Sequence, residues 1–298
     1  MGRSYACFME ARALDLEPID ATFGAVVRGV ELRSLDDETF AALHAAWLEY
    51  GLLIFPDQHL SRDEQNAFAL RFGDLEFPAT PISNMSKDGT IHSEAGDDVV
   101  KSLRGNEGWH FDSTYMPVQA KGAVFSAEIV PPDGANTEWA DMRAAYNALD
   151  EETRERVEDL AAYHSLYYSQ GRSGYLPTQN EGGGYDLYGY HDHEPSLRPL
   201  VKVHPDTGIP NLLIGRHAYG IVGMDPDESE RLLDRLNAQA VEAPERVYSH
   251  RWTVGDTVIW DNRALMHRGT PFDMTQARRM WHTRIAGERQ SEVAVNHA

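Results

Sequence analysis

Six residues, Trp109-His110-Phe111-Asp112-Ser113-Thr114, set an imidazole and a carboxylate two positions apart. Read as a strand, the stretch turns both side chains to one face, because residues i and i+2 share a face. Neutral imidazole and carboxylate suit borderline divalent metals, and two His plus one carboxylate with open positions is the usual holder of non-haem Fe(II) for oxygen chemistry. The pair alone is weak, since a strand-end His beside a solvated Asp has the same spacing. A third ligand is offered by Val258-Ile259-Trp260-Asp261-Asn262-Arg263-Ala264-Leu265-Met266-His267-Arg268-Gly269. This reads as a buried strand, a polar turn, and His267 just beyond it. Strands distant in sequence lie side by side in a jelly roll, so His267 could complete a triad with His110 and Asp112. A His capping a strand end is the plain alternative.

Arg278 stands eleven residues after His267, at the start of another strand. If that strand lines a barrel mouth, its guanidinium could hold a carboxylate by paired hydrogen bonds. Arg279 would then point the opposite way. A solvated Arg-Arg face is the alternative. Thr137 could add a hydroxyl to the same carboxylate, although Thr is also a good strand former. His191-Asp192-His193 has a ligand-like spacing but sits in a Gly/Pro-bounded loop, with no rigid strand to fix it. It is expected to be a solvated lid element. Trp252, Trp260 and Trp281 are expected in the core.

The elements that must position these groups follow from periodicity. Strands are expected at Leu14–Ile19, Ala25–Leu32 and Leu52–Phe55. A helix is expected over Asp36–Tyr50 with Gly51 as its stop, and another from the Ser61/Glu64 capping box to Gly73. The region 76–108 reads as an irregular flap with a short strand at Pro81–Asn84. Strands follow at Trp109–Thr114, Ala120–Val130 and Thr137–Met142, then helices at Arg143–Leu149 and Asp150–Leu160. The region 170–199 reads as a long loop or lid. Later strands are expected at Leu200–His204, Asn211–Gly215, Arg251–Thr253, Thr257–Trp260 and Met280–Ala286. Asp225-Pro226-Asp227-Glu228 starts a helix running to about Ala240. The tail after Gly287 reads as disordered. The pattern predicts one catalytic domain over residues 1–298, with a core at 14–287. Its fold is expected to be mostly β with added helices, a double-stranded β-helix (jelly roll, cupin-like).

Composition narrows the partners. The 298 residues carry a formal charge of −20, which argues against nucleic acid and anionic membranes as partners. Cys7 is the only cysteine, so neither a disulfide framework nor a thiolate metal site is expected, in keeping with a cytoplasmic location. The charges in Met1 to Asp20 leave no signal-peptide core, and Ala6 occupies the Ser/Thr place of a myristoylation signal. Self-association into a homo-oligomer is compatible with the sequence.

Taken together, His110-Phe111-Asp112, the Trp260-to-Gly269 segment with His267, and Arg278 resemble the taurine/2,4-dichlorophenoxyacetate dioxygenase family of Fe(II)- and 2-oxoglutarate-dependent oxygenases. The resemblance runs from Leu14 to about Gly287 and includes Thr137-Glu138-Trp139-Ala140-Asp141-Met142-Arg143-Ala144-Ala145-Tyr146, similar to a segment that helps bind 2-oxoglutarate. Within the family, Asp112–Val118, Gly122–Ala127, Arg198–Pro205 and Leu212–Ala218 look like the (S)-2-(2,4-dichlorophenoxy)propionate dioxygenase branch.

The resemblance implies that His110, Asp112 and His267 hold Fe(II), while Arg278 and Thr137 hold the far carboxylate of 2-oxoglutarate, with O2 as the second cosubstrate. Asn106 matches a place that faces substrate. Many members carry a second Arg four residues after the first, gripping an anionic substrate. Here His282 stands there, so Arg216, His217 and Lys101 become candidates for that grip on physical grounds. Related halogenases have a small residue in the place of Asp112, so its carboxylate favours hydroxylation. The expected substrate is a small organic acid, an aryloxyalkanoate that would fall apart to a phenol and a 2-oxo acid. The same chemistry on a sulfonate, alkyl sulfate or amino-acid-derived acid is the alternative. A non-oxidative metal-binding jelly-roll protein is the alternative of another class.

Overall fold

The computed structural model describes residues 14–185 and 187–298. Cys7 and the expectations resting on residues 1–13 lie outside them. In chain order, β1 (Asp15–Pro18) and β2 (Ala25–Arg28) form an antiparallel pair. The helix α1 (Asp37–Tyr50) starts where the Asp36 side chain accepts from the Thr39 amide, and stops at Gly51, whose φ of 74° favours glycine. After β3 (Leu52–Phe55), α2 (Arg62–Leu70) opens on the Ser61/Glu64 capping box. Next come β4 (Leu75–Ser83), α3 (Asp98–Gly105), β5 (Gly122–Ile129), β6 (Thr137–Asp141), α4 (Met142–Asn147) and α5 (Glu151–Val157). They are followed by β7 (Ala161–His164), α6 (Leu166–Ser173), β8 (Ser196–Pro199), β9 (Val201–Val203), β10 (Pro210–Leu212) and β11 (Ala218–Ile221). The chain closes with α7 (Pro226–Ala240), β12 (Val247–His250), β13 (Thr257–Asp261), β14 (Leu265–Gly269), β15 (Arg279–Ile285) and α8 (Arg289–Glu292).

The largest sheet has seven strands in the order β1-β2-β3-β13-β5-β15-β4, and a three-stranded sheet runs β12-β6-β14. Side-chain alternation gives the large sheet two apolar faces. Val124, Ile259 and Ile285 turn toward Trp47 of α1 and Phe68 of α2. Their strand neighbours Phe125, Trp260 and Met280 turn the other way, against Trp139 and Leu265 of the smaller sheet. A residue on the second face therefore either fills the space between the sheets or lines its open end. That is where the chemistry sits.

Several expectations are corrected. The helices hold about as many residues as the strands, so the fold is mixed rather than mostly β. The region 76–108 is not irregular throughout: β4 pairs with β15 along the sheet edge, and α3 follows. Pro78 and Pro81 made the strand look broken, but an edge strand can spare their missing donors. Trp109–Thr114 is not a strand either. Only His110 forms a bridge, and Ser113 adopts φ 56°, which ends any extended run. His267 follows β13 and its polar turn as expected, within β14, whereas the strand expected at Arg251–Thr253 falls earlier, at β12. Within 170–199, α6 ends at Ser173 and β8 starts at Ser196, with little regular structure in the described residues between them.

The tail after Gly287 is ordered and packed. The fully buried Arg198 donates to the carbonyls of Thr114 at 2.6 Å, Met116 at 2.7 Å and Glu292 at 3.1 Å. The buried carboxylate of Glu292 pairs with Lys202, and its carbonyl also accepts from the Gln119 amide at 3.0 Å. The tail thus pins the loop that carries Asp112. Deleting residues 288–298 would strand Lys202 and uncover Arg198. Breaking a buried ion pair costs about 3–5 kcal/mol, so the melting midpoint is expected to fall by roughly 5–15 °C. A thermal melt unchanged within about 2 °C would refute this.

Candidate active site

The bridge between His110 and His267 is reciprocal: each amide donates to the other's carbonyl, at 2.9 and 2.8 Å. It brings the two imidazoles to a centroid separation of 4.4 Å. The chain then turns, and Asn262, fully buried between β13 and β14, fixes the turn. Its Oδ1 accepts from the Asp112 amide at 2.8 Å, while Nδ2 donates to the carbonyls of Asp112 and Ala120, each at 2.9 Å. One ligand atom from each of His110, Asp112 and His267 lies within 4.8 Å of the others. Among the described residues no other trio of His, Cys, Asp or Glu side chains meets that geometry.

The electrostatics suit a cation. Burial lowers the His110 pKa to about 4, against the pull of Asp112. Burial and the neighbouring His110 take His267 well below its ordinary value. Both rings are therefore neutral near pH 7 and keep a lone pair. His110 Nδ1 sits 2.7 Å from the Gly108 carbonyl, to which it must donate, leaving Nε2 as the free acceptor. Burial would raise Asp112, but Arg284, followed by His267 and His282, holds its carboxyl well below the usual range. Arg284 Nη2 donates to Asp112 Oδ1 at 2.6 Å. The other oxygen, Oδ2, is buried and forms no hydrogen bond, with His282 Nε2 at 3.4 Å and His267 Nε2 at 3.7 Å. An anionic oxygen that forms no hydrogen bond, beside two imidazole lone pairs, fits a divalent cation.

A second charged group faces the same cleft, whose volume is about 870 Å³ counted to its open mouth. The Arg278 backbone is locked by Asn84 and Ser83. The residue is 6% exposed, with its guanidinium between the rings of Phe125 and Phe272 at 5.9 and 5.8 Å. Burial lowers its pKa to about 10, so it stays charged at neutral pH. No described carboxylate pairs with it, so an incoming anion would relieve an uncompensated buried charge. Thr137 lines the cleft too. Its hydroxyl accepts from Trp252 Nε1 at 3.0 Å, leaving its own proton to donate. Arg279 points away, as alternation requires, and meets Glu128 at 3.4 Å.

The remaining candidates separate. Asn106, His217 and His282 line the cleft. Lys101 does not; it pairs with Asp98 at 3.0 Å. Arg216 is outside the lining as well, tying the Gly105 carbonyl at the end of α3 to Gln170 and Ser173 of α6. Neither is placed to grip a substrate anion. His217 and His282 are both pushed below their ordinary values by burial, so they offer neutral rings. Ser169 Oγ donates to the Leu166 carbonyl at 3.1 Å, so the 2.8 Å contact with His217 must be donated by Nδ1, and His217 Nε2 is left an acceptor. His282 stacks on Trp260 at 5.8 Å and 9°. His191 contacts the Tyr115 carbonyl at 2.9 Å and is no part of a metal cluster. Trp252 and Trp260 are buried as expected, but Trp281 is not core: its indole donates to Glu128 and carries Arg62 over its ring. The sequence reading missed Arg284, Asn262 and Glu76. Arg284 was within reach, since it stands two residues after His282 and so on the same face of a strand.

This chain belongs to the taurine catabolism dioxygenase TauD, TfdA family, whose profile matches residues 15–285. It is an enzyme, a 2-oxoglutarate-dependent dioxygenase using Fe(II), 2-oxoglutarate and O2. Among named relatives, it is 59% identical over 286 residues to an (S)-phenoxypropionate/alpha-ketoglutarate-dioxygenase of Sphingobium herbicidovorans, covering 96% of this chain and 99% of the relative. It is 34% identical over 282 residues to an alpha-ketoglutarate-dependent 2,4-dichlorophenoxyacetate dioxygenase of Cupriavidus pinatubonensis, covering 88% and 94%. The crystal structure of AAD-2 in complex with Mn(II) and N-oxalylglycine superposes with a TM-score of 0.86 at 37% identity, covering 95% of this chain and 99% of that one. No helix among the described residues is long and apolar enough to cross a membrane.

Proposed function

We propose that the enzyme hydroxylates an aryloxyalkanoic acid, of the 2-phenoxypropionate type, at the carbon beside the ether oxygen. The carrying observation is one cleft in which an orphaned carboxylate oxygen and two neutral imidazoles face an unpaired buried arginine. His110, Asp112 and His267 hold Fe(II), and Arg278 with Thr137 holds the far carboxylate of 2-oxoglutarate. Bound there, Fe(II) would activate O2, whose four electrons come two from the 2-oxo acid, as it becomes succinate and CO2, and two from the C–H bond that is hydroxylated. The chain's share is to orient and to keep water out. Phe125, Phe272 and Trp260 wall the cosubstrate end, while Phe77, Tyr115, Tyr175, Tyr188 and Tyr190 line an outer vestibule that suits an aryl ring. Hydroxylation beside the ether oxygen gives a hemiketal, which collapses to a phenol and pyruvate.

The large sheet and β12-β6-β14 are, in this reading, the two walls of a double-stranded β-helix within one catalytic domain. Segments of 76–108 and 170–199 cover its mouth. The partner is a small acid in the cytoplasm rather than nucleic acid or membrane.

The test is to mix anaerobically purified protein with Fe(II), 2-oxoglutarate and a panel of acids, then admit air. Succinate and phenol should form together with (S)-2-phenoxypropionate, and faster than succinate forms with taurine or an alkyl sulfate. Faster turnover of the sulfur acids would replace the substrate assignment. No oxygen uptake with any member would favour a non-oxidative binder.

A further inference from the structure

Glu76 stands near the start of β4, outside every role assigned so far, yet three side chains converge on its carboxylate. Ser113 Oγ reaches both of its oxygens, at 3.0 and 2.9 Å. Tyr188, from the segment over the cleft, donates to Oε1. Arg284 Nε lies 3.8 Å from Oε2. The same guanidinium donates through Nη1 to Ser113 Oγ at 2.9 Å and through Nη2 to Asp112 Oδ1 at 2.6 Å. Ser113 has one hydroxyl proton. Glu76 takes it, so a lone pair of Oγ is left for Arg284. Ser113 also holds its positive φ of 56° directly after Asp112, a strained conformation that its surroundings must enforce.

Arg284 is thus shared between two carboxylates. Shared in this way, it takes one oxygen of Asp112 and leaves Oδ2 without a hydrogen bond, its nearest side-chain nitrogen being His282 Nε2 at 3.4 Å. Were Glu76 uncharged, the guanidinium fork would be free to turn and engage both oxygens of Asp112, the geometry arginine and carboxylate prefer. We propose that Glu76 is a positioning residue for the metal-binding carboxylate, acting through Ser113 and Arg284 to keep Asp112 Oδ2 free for the ion. This rests on the reading of His110, Asp112 and His267 as the Fe(II) site.

The experiment titrates Mn(II) alone into metal-free protein and reads free Mn(II) by EPR, with a thermal melt of the metal-free protein beside it. Glu76→Gln keeps the shape and one acceptor but removes the charge. It is expected to weaken Mn(II) binding about tenfold, the range for loss of a partner that orients a ligand, while the metal-free melt stays close to wild type. If Glu76 only packs, Mn(II) affinity does not move. Ser113→Ala, which cuts the link without touching Glu76, is the second arm and decides the matter if Glu76→Gln does not fold. It should weaken Mn(II) binding as well. Wild-type affinity in the folded variants would overturn the assignment of Glu76 alone. A wild-type protein that binds no stoichiometric Mn(II) would sink the metal-site reading and this inference with it.

Discussion

Arg278→Leu is expected to raise the KM for 2-oxoglutarate by roughly thirtyfold or more while leaving the metal-free protein as stable as wild type, or more so. The first half follows from burial. A carboxylate docking on Arg278 enters a site walled by Phe125 and Phe272, where losing one partner of a charge pair costs about 2–5 kcal/mol. Each 1.4 kcal/mol is tenfold. The second half follows from the empty-handed state of the guanidinium: with no described carboxylate beside it, the free enzyme carries the desolvation cost without the attraction. Steady-state kinetics in 2-oxoglutarate, paired with a thermal melt, checks both. A fall in stability with an unchanged KM would mean that Arg278 is a core residue and nothing more.

Asp112→Asn is expected to abolish stoichiometric metal binding and reduce turnover by more than roughly a hundredfold, beyond the loss expected for a supporting partner such as Glu76. The exchange preserves shape and the backbone contacts with Asn262. It removes the single negative charge that faces the two imidazoles. Arg284 would then lose its partner at 2.6 Å and keep only Glu76 and Ser113, so a modest loss of stability should accompany the larger loss of metal. Mn(II) titration separates the two effects. Metal affinity within tenfold of wild type would remove Asp112 from the ligand set.

The convergence of His110, Asp112 and His267 was legible because its signal is chemical. His-x-Asp and a distant His after a buried strand can be read without knowing the backbone between them. The strand assigned to Trp109–Thr114 was nevertheless wrong. The imidazole and carboxylate converge through a bridge and a left-handed turn, not through pleating. Arg278 was legible for a similar reason, since an arginine beside a second arginine at a strand start invites the question of which one faces inward. Glu76 was not. Its partners Ser113 and Tyr188 lie 37 and 112 residues away, and no periodicity links them. The ordered tail was hidden too, because Glu292 looks solvated in sequence and is buried only by pairing with Lys202. Lys101 and Arg216 failed in the opposite sense: charge marked them, but Asp98 and the Gly105 carbonyl had already claimed it.

The strand β15 presents different groups on its two faces. His282 and Arg284 face the cleft from alternate positions, Arg278 enters it just upstream, and Arg279 and Trp281 face Glu128 outside. Loss of a single residue between Arg278 and Arg284 would exchange the two sets, because a one-residue slip reverses every side chain. On the proposed roles of Arg278, Asp112 and Arg284, the cosubstrate grip and the support of the metal carboxylate would be yoked to one reading frame of the pleat. Length changes in this family's active site should therefore be borne by the loops at the mouth, and this strand should tolerate exchanges of residue but not insertions or deletions.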